Sequence, residues 1–306
     1  MRMKKWLLLL VASLVLMLAA CGGDGDKKQE ANQNNSDETS EETKNEESTS
    51  EIIAGAPLQD GTYSLSEKDF DDHGWKAQME ITVKDGKIVE SKFDYVNADG
   101  QFKSEDEDYQ KSMSEKNGIG PADFIPQLNK ALVETQDAKS IDVVTGATHS
   151  WGTFINYAQQ LIQAAQKGDT TPIVVDAAAS LKDGEYQLTE KNLDANGWKV
   201  TMKMTVEGGK ITAFDYNYVD KDGNLKSENE DYEKMMKEKS GVGPKEFIPA
   251  LSESLLKTQS AYDVEVVSGA THSSYAFKAY AAQLINAAQK GDTTPIEVDN
   301  IVVKNH

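Results

Sequence analysis

The chain has 306 residues, with 51 aspartates and glutamates against 32 lysines and arginines, a formal charge of −19 and a single cysteine. An acidic surface of that size disfavours nucleic acid and anionic membrane faces, and one cysteine excludes both an intramolecular disulfide and a multi-cysteine metal centre. About 250 residues follow a polar N-terminal region, enough for one large domain or two of ordinary size.

Arg2, Lys4 and Lys5 precede the apolar run WLLLLVASLVLMLAA, which is too short and too abruptly ended for a membrane span, so residues 1–20 read as a secretory leader. The run closes on Leu18-Ala19-Ala20-Cys21 followed by Gly22-Gly23, and this resembles a bacterial lipobox. The resemblance implies that the Cys21 thiol receives diacylglycerol, that cleavage falls before it, and that the new amino terminus is acylated, giving the two or more chains that a stable lipid anchor needs. The alternative is a soluble secreted protein with a stray cysteine. Cleavage removes three positive charges and leaves a formal charge of −22. Residues 22–56 carry ten acids against three lysines and almost no large apolar side chain. They cannot bury enough surface to offset chain entropy, so residues 21–56 read as a lipidated cysteine and a disordered acidic tether. A flexible coil of about 35 residues averages roughly 30–35 Å end to end.

Self-comparison then divides the remainder. A shift of 123 carries Tyr63 to Tyr186, Trp75 to Trp198, Gly86 to Gly209, Gly120 to Gly243, Pro126 to Pro249, Thr148 to Thr271 and Asp169 to Asp292, with no gap. A repeat of that length is a domain with its own core rather than a solenoid unit, which places two domains at 57–176 and 177–306. Each copy opens on strand-like segments: DGTYSL, GWKAQMEITV and IVESKFDYV in the first, the last two joined by Asp85-Gly86 as a hairpin, with Gly208-Gly209 serving the second. The polar stretch KSEDEDYQKSMSEKNGIGP reads as part helix, and PADFIPQLNKALVETQ as an amphipathic helix with Pro126, like Pro249, inside it or at its edge. A short strand IDVV, a small-residue turn and a helix over about 151–166 follow, with Phe154, Tyr157, Leu161, Ile162 and Ala165 along one face. The fold class is α+β, a tandem repeat of antiparallel sheets with packed helices.

Several motifs fail as sites. Asp220, Asp222 and Asn224 alternate like the first ligands of an EF-hand, but Leu225 stands where the loop needs glycine and Asp231 where it needs glutamate, so a solvated hairpin turn is the better reading and no metal is expected. There is no G-x-S-x-G elbow, and Thr148 and His149 are sequence neighbours whose side chains diverge at a helix start. His73 has Asn196 for a counterpart, against a shared acid–base or metal role, and no catalytic residue is expected. The segment DVVTGATHS, Asp142 to Ser150, returns as EVVSGATHS, Glu265 to Ser273. Locally it reads as a strand, a glycine turn and a Ser or Thr N-cap. Its chemistry permits more: Gly146 and Ala147 let a bulky group approach the backbone, and Thr148 offers a hydroxyl beside the free N–H groups of a starting helix, where a phosphate is favoured.

Asp142-Val143-Val144-Thr145-Gly146-Ala147-Thr148 resembles the flavinylation sequence of FMN-binding domains: Asp, two residues, Ser or Thr, Gly, Ala, Thr. The second copy is Glu265, two valines, Ser268, Gly269, Ala270 and Thr271, departing from the pattern by its glutamate. The resemblance implies that an FAD- and Mg²⁺-dependent flavin transferase joins the FMN phosphate to Thr148 and Thr271, giving two covalent FMN groups. With the lipobox, the tether and the tandem arrangement, the chain is similar to the pheromone lipoproteins of Gram-positive extracellular electron transfer. That likeness implies a lipid-anchored protein on the outer face of the cell membrane. It would take electrons from a membrane dehydrogenase and quinone pool and pass them to extracellular acceptors such as ferric iron, without being an enzyme complete in itself. Trp75 and Trp198, Tyr95 and Tyr218, and Met113 and Met236 recur in register and are candidates either for covering the flavin ring or for plain core; Gly118, Gly120, Gly241 and Gly243 are candidates for backbone approach to it or for a helix-start loop. The alternatives are a ligand-binding or adhesive surface lipoprotein and a chain whose leader yields a peptide pheromone.

Overall fold

The computed structural model describes residues 52–303. The leader, Cys21 and the tether up to residue 51 lie outside the described residues. Residues Ile52–Ala54, assigned from composition to the end of the tether, instead form a strand, β1. Each repeat then supplies four strands and three α-helices: β2 (Gly61–Glu67), β3 (Lys76–Lys84), β4 (Lys87–Val96), α1 (Glu107–Asn117), α2 (Pro121–Thr135), α3 (Thr148–Lys167) and β5 (Ile173–Val175) in the first. The second has β6 (Gly184–Glu190), β7 (Lys199–Glu207), β8 (Lys210–Val219), α4 (Glu230–Ser240), α5 (Pro244–Thr258), α6 (Thr271–Lys290) and β9 (Ile296–Val298), and the described residues end on β10 (Val302–Val303).

The sheets have the orders β4-β3-β2-β5 and β8-β7-β6-β9. Three strands of each run antiparallel, while β5 and β9, arriving after the long helix, add in parallel to β2 and β6. The hairpin turns have both central residues left-handed, Asp85 and Gly86 at φ 53° and 72° and Gly208 and Gly209 at 59° and 73°, as a two-residue turn between twisted strands demands. Strict alternation on β3 buries Ala77, Met79, Ile81 and Val83, and on β7 Val200, Met202, Met204 and Val206. These faces meet α2 with α3 and α5 with α6, and each Leu, Ile or Phe taken from water there contributes roughly 1.5–3 kcal/mol before entropy is counted. Both interior prolines are accommodated, Pro126 within α2 and Pro249 within α5, behind Pro121 and Pro244 at the helix starts. Among the described residues no helix is long and apolar enough to cross a membrane.

Two expectations are corrected. The IDVV segment forms no strand, because side chains rather than a ladder satisfy its backbone. Trp151 Nε1 donates to the Ile141 carbonyl; in the second copy Lys278 Nζ donates to the carbonyls of Tyr262 and Val264, and the Val267 N–H donates to Ser274 Oγ. The helix expected over 151–166 begins earlier, at Thr148, and is buried on more than one face: Asn156, Gln159 and Gln163 are as enclosed as Phe154 and Leu161. The reason is that α6 covers the side of α3 turned away from its own sheet. Across this seam Gln163 and Gln283 exchange Nε2–H···Oε1 bonds of 3.1 and 3.0 Å, and Asn156 donates to Asn286 at 2.8 Å.

Candidate functional site

The repeated turn is built around a glycine that nothing else can replace. Gly146 has φ 85° and Gly269 φ 81°, and a Cβ at either would overlap a backbone oxygen, that of Asn117 or Ser240. The turn is thereby pressed onto the loop after α1 or α4 and closed by the Ala147 N–H donating to Val144 and the Ala270 N–H to Val267, both at 2.9 Å. The expected Ser or Thr N-cap is not found. Ala147 and Ala270 are the N-cap residues, with no side-chain cap, and Thr148 and Thr271 are the first helical residues. The N–H groups of residues 148–150 and 271–273 consequently have no intrahelical acceptor, while those of Trp151 and Ser274 do. Both threonines are exposed, and neither hydroxyl makes a hydrogen bond among the described residues. Asp142, Glu265, Thr145 and Ser268 are exposed as well, and the two carboxylates engage no described side chain or backbone donor.

In the first repeat Gly146–Ser150 forms one wall of a cleft of about 850 Å³. Tyr95, Lys103, Tyr109 and Met113 line it, and Glu67 and the Asp69–His73 loop form its rim. Lys103 is enclosed by rings, its Nζ lying 4.3 Å from the centroid of Tyr95, 4.5 Å from Tyr109 and 5.3 Å from Trp75. Lys226 repeats the cage at 4.2 Å from Tyr218, 4.4 Å from Tyr232 and 5.7 Å from Trp198. Burial lowers the pKa of both amines, that of Lys226 to about 8. Sequence reasoning missed these lysines, although the 123-residue shift that picked out the tryptophans also carries Lys103 to Lys226 and Tyr109 to Tyr232. Of the ring-covering candidates in this repeat, Tyr95 and Met113 line the cleft, and Trp75 stands behind the lysine, edge-on to Tyr109 at 5.9 Å. Burial pushes the Tyr95 phenol up, against the smaller opposing effect of the Ser150 and Thr153 hydroxyls, and pushes Tyr218 up to about 12. The glycines of the intervening loop do other work: Gly118 and Gly241 are left-handed C-caps of α1 and α4, and Gly120 and Gly243 leave room for the Gln110 and Glu233 side chains.

Glu67 is held at the cleft by the Tyr157 hydroxyl and the Ala77 N–H, at 2.6 and 2.7 Å, and its burial raises its pKa. Glu190 has the same two partners in Tyr280 and Val200. The Thr148 cleft is completed from the other repeat. Tyr262 fills the space beside Gly152, where a Cβ would come within 2.7 Å of its ring, and accepts a hydrogen bond from Asn156 at 3.2 Å. His149 Nε2 lies 2.8 Å from Asp263 Oδ1. The pair engages the histidine across the repeats rather than with Thr148. Asp220 organises its own hairpin turn, accepting from the N–H groups of Asp222 and Asn224 at 2.8 and 2.9 Å.

These surroundings suit a phosphoester of an aromatic cofactor: free N–H groups and a hydroxyl at the mouth, a cleft of small-molecule size, and aromatic walls behind. The sequence pattern of the FMN-binding domain family matches residues 73–163 and 197–286, and the chain belongs to that family. The 15 kDa lipoprotein of Treponema pallidum is 39% identical over 117 residues, 38% of this chain and 83% of that protein. The CPE2226 protein of Clostridium perfringens is 44% identical over 39% of this chain and 98% of its own, with a TM-score of 0.38. A Clostridium thermocellum protein solved in solution is 28% identical over 35% of this chain and 92% of its own, with a TM-score of 0.25.

Proposed function

We propose that the protein is a surface lipoprotein, anchored through Cys21 on the outer face of the cell membrane, that carries two FMN groups joined by phosphoester bonds to Thr148 and Thr271. In this reading a flavin transferase loads them from FAD with Mg²⁺. The protein then relays electrons from a membrane quinone and dehydrogenase system to extracellular acceptors such as ferric iron. The observation that carries the attachment is the exposed, unpartnered threonine hydroxyl at the first position of a helix, at the mouth of an aromatic cleft. The likeness to a spirochaete lipoprotein and the Leu18–Cys21 sequence support the anchor.

FMN, when bound, supplies one- and two-electron chemistry. The chain supplies the rest. The N–H groups of residues 148–150 and 271–273 would offset the charge of a phosphate there, and Tyr95 with Lys103, or Tyr218 with Lys226, would set the charge environment of the group. A covalent link prevents loss of the cofactor by dilution at the cell surface. The test is expression of the mature chain with and without a flavin transferase, followed by denaturation, in-gel fluorescence and intact mass. Thr148→Ala and Thr271→Ala should each remove one covalent FMN and the double variant both. Colour that washes out on denaturation would favour a non-covalent binding module. For the anchor, Cys21→Ala should release the protein from the membrane fraction with both repeats folded; retention as firm as the parent's would refute the lipobox reading.

A further inference from the structure

The surroundings of Thr148 and Thr271 are alike along the chain and unlike in charge. Each is completed by the opposite repeat, and the two donated residues are 123 positions apart: Tyr262 lines the Thr148 cleft, while Lys139 enters beside α6, which Thr271 opens. Lys139 Nζ lies 3.0 Å from the Tyr280 hydroxyl and 3.5 Å from Glu190 Oε1. Glu67, the equivalent of Glu190, has no cation at that range among the described residues; its oxygens accept from the Tyr157 hydroxyl and the Ala77 N–H. Although burial disfavours a charge on Lys139, Tyr280, Glu190 and Asp137 together hold its pKa well above the ordinary lysine value.

The rims differ in the same direction. Asp69, Asp71 and Asp72 line the Thr148 cleft, and their counterparts are Asn192, Asp194 and Ala195. Lys103 and Lys226 are matched. Asp263 sits on His149 at the first site, and Asp137 accepts the Lys139 backbone N–H at the second. Five carboxylates thus surround the first site, with Lys103 in it and Lys278 behind it on the Tyr262 carbonyl, whereas three carboxylates and two lysines, Lys139 and Lys226, stand around the second.

We propose that this asymmetry ranks the two flavins, the one on Thr271 having the more positive reduction potential, and that Lys139, given by the first repeat to the second, sets the larger part of the gap. The inference rests on the flavin reading above. Reduction adds negative charge to the ring, so a nearby ammonium stabilises the reduced form and carboxylates oppose it, more strongly where water is excluded. An electron exchanged within the molecule oxidises the flavin on Thr148 by one electron and reduces that on Thr271 by one, with no other oxidant or reductant. At equilibrium electrons collect in the second repeat.

The full mature chain, loaded by a transferase, tests this. Thr271→Ala and Thr148→Ala give forms with a single flavin, on Thr148 and Thr271 respectively, and spectroelectrochemical titration gives each potential. The Thr271 flavin should be the more positive. Lys139→Tyr, which installs the residue of the other repeat, should lower it towards the Thr148 value, and Tyr262→Lys should raise the Thr148 potential independently of whether the Lys139 variant folds. Coincident or reversed potentials in the parent would overturn the ranking, and a Thr148 potential unmoved by Tyr262→Lys would overturn the role given to Lys139, the flavin reading standing in either case. A chain that takes no covalent flavin overturns the flavin reading, and this inference with it.

Discussion

Lys226 keeps a charge inside the protein without a hydrogen bond or ion pair among the described residues, held by three aromatic rings. Burial lowers its pKa to about 8, against the ordinary 10.5, so the folded state resists a charge that the unfolded chain accepts. The cost is fully present below pH 8, falls as pH rises from there to 10.5, and is gone when both states are neutral. Lys226→Met keeps most of the volume and removes the charge; with the lost cation–π contacts counted, it should stabilise the protein by about 1–2 kcal/mol at pH 7. Urea denaturation at pH 7 and pH 10.5 checks this, and the gap between variant and parent should close at the higher pH. A variant less stable than the parent at both values would mean that the rings more than compensate for desolvation. A buried charge kept at a cost in both repeats points to use, and in the proposed function the cage at Lys103 lines the cleft where the ring of a flavin on Thr148 would rest.

At the scale of the element, the turn and the helix it opens are one device. The φ of Gly146 and Gly269 and the carbonyls of Asn117 and Ser240 fix the turn, and the turn fixes which N–H groups and which hydroxyl face outward. The flanking carboxylates are not fixed in this way: those of Asp142 and Glu265 are exposed and unpartnered among the described residues, available in the proposed function to the transferase. One extra methylene displaces the carboxylate of Glu265, and a hydrogen bond made in a transferase site tolerates little displacement. Thr148 should therefore be loaded faster than Thr271 when transferase is limiting, Glu265→Asp should narrow the difference, and Asp142→Glu should slow the first site. Peptide mapping over a time course measures all three, and equal rates in the parent would mean that the enzyme reads only the turn and a charge. The turn, the hairpins and the apolar stripe of α3 were legible in the sequence because each rests on local chemistry: left-handed Asp-Gly and Gly-Gly pairs, alternation, and helical spacing. The caged lysines were not, since a lysine in a polar stretch carries no local mark of the rings that fold over it. The IDVV strand was misread because a β-branched run signals extended backbone without saying whether a ladder or side chains will satisfy it.

Among the described residues the two copies pack on one another, and their seam is polar. Asn156, Gln163 and Gln283 are buried between α3 and α6, and the strand pair β1–β10 joins the entry of the first repeat to the end of the second. Gln166 adds to that closure by donating to the carbonyls of Ala56 and Asp299. None of this follows from the repeat alone, because the shift of 123 takes Gln163 to Asn286 and Asn156 to Ala279, so the seam is not written symmetrically. The seam matters to the proposed function because it carries Tyr262 to the Thr148 cleft and Lys139 to Tyr280 and Glu190 in the second repeat. Its energetics can be isolated at the reciprocal amide pair. Gln163→Leu leaves the Gln283 amide without either of its bonds, and Gln283→Leu does the same to Gln163; a buried polar group left unsatisfied costs about 1–3 kcal/mol. Replacing both by leucine removes both polar groups, and the seam becomes an ordinary apolar contact. Each single variant should therefore lose about 1–3 kcal/mol in urea denaturation, while the double variant should lie within about 1 kcal/mol of the parent, a strong positive coupling in the double-mutant cycle. Additive losses would show that the amides do not depend on one another and that water, or a parting of the helices, satisfies each when its partner is gone.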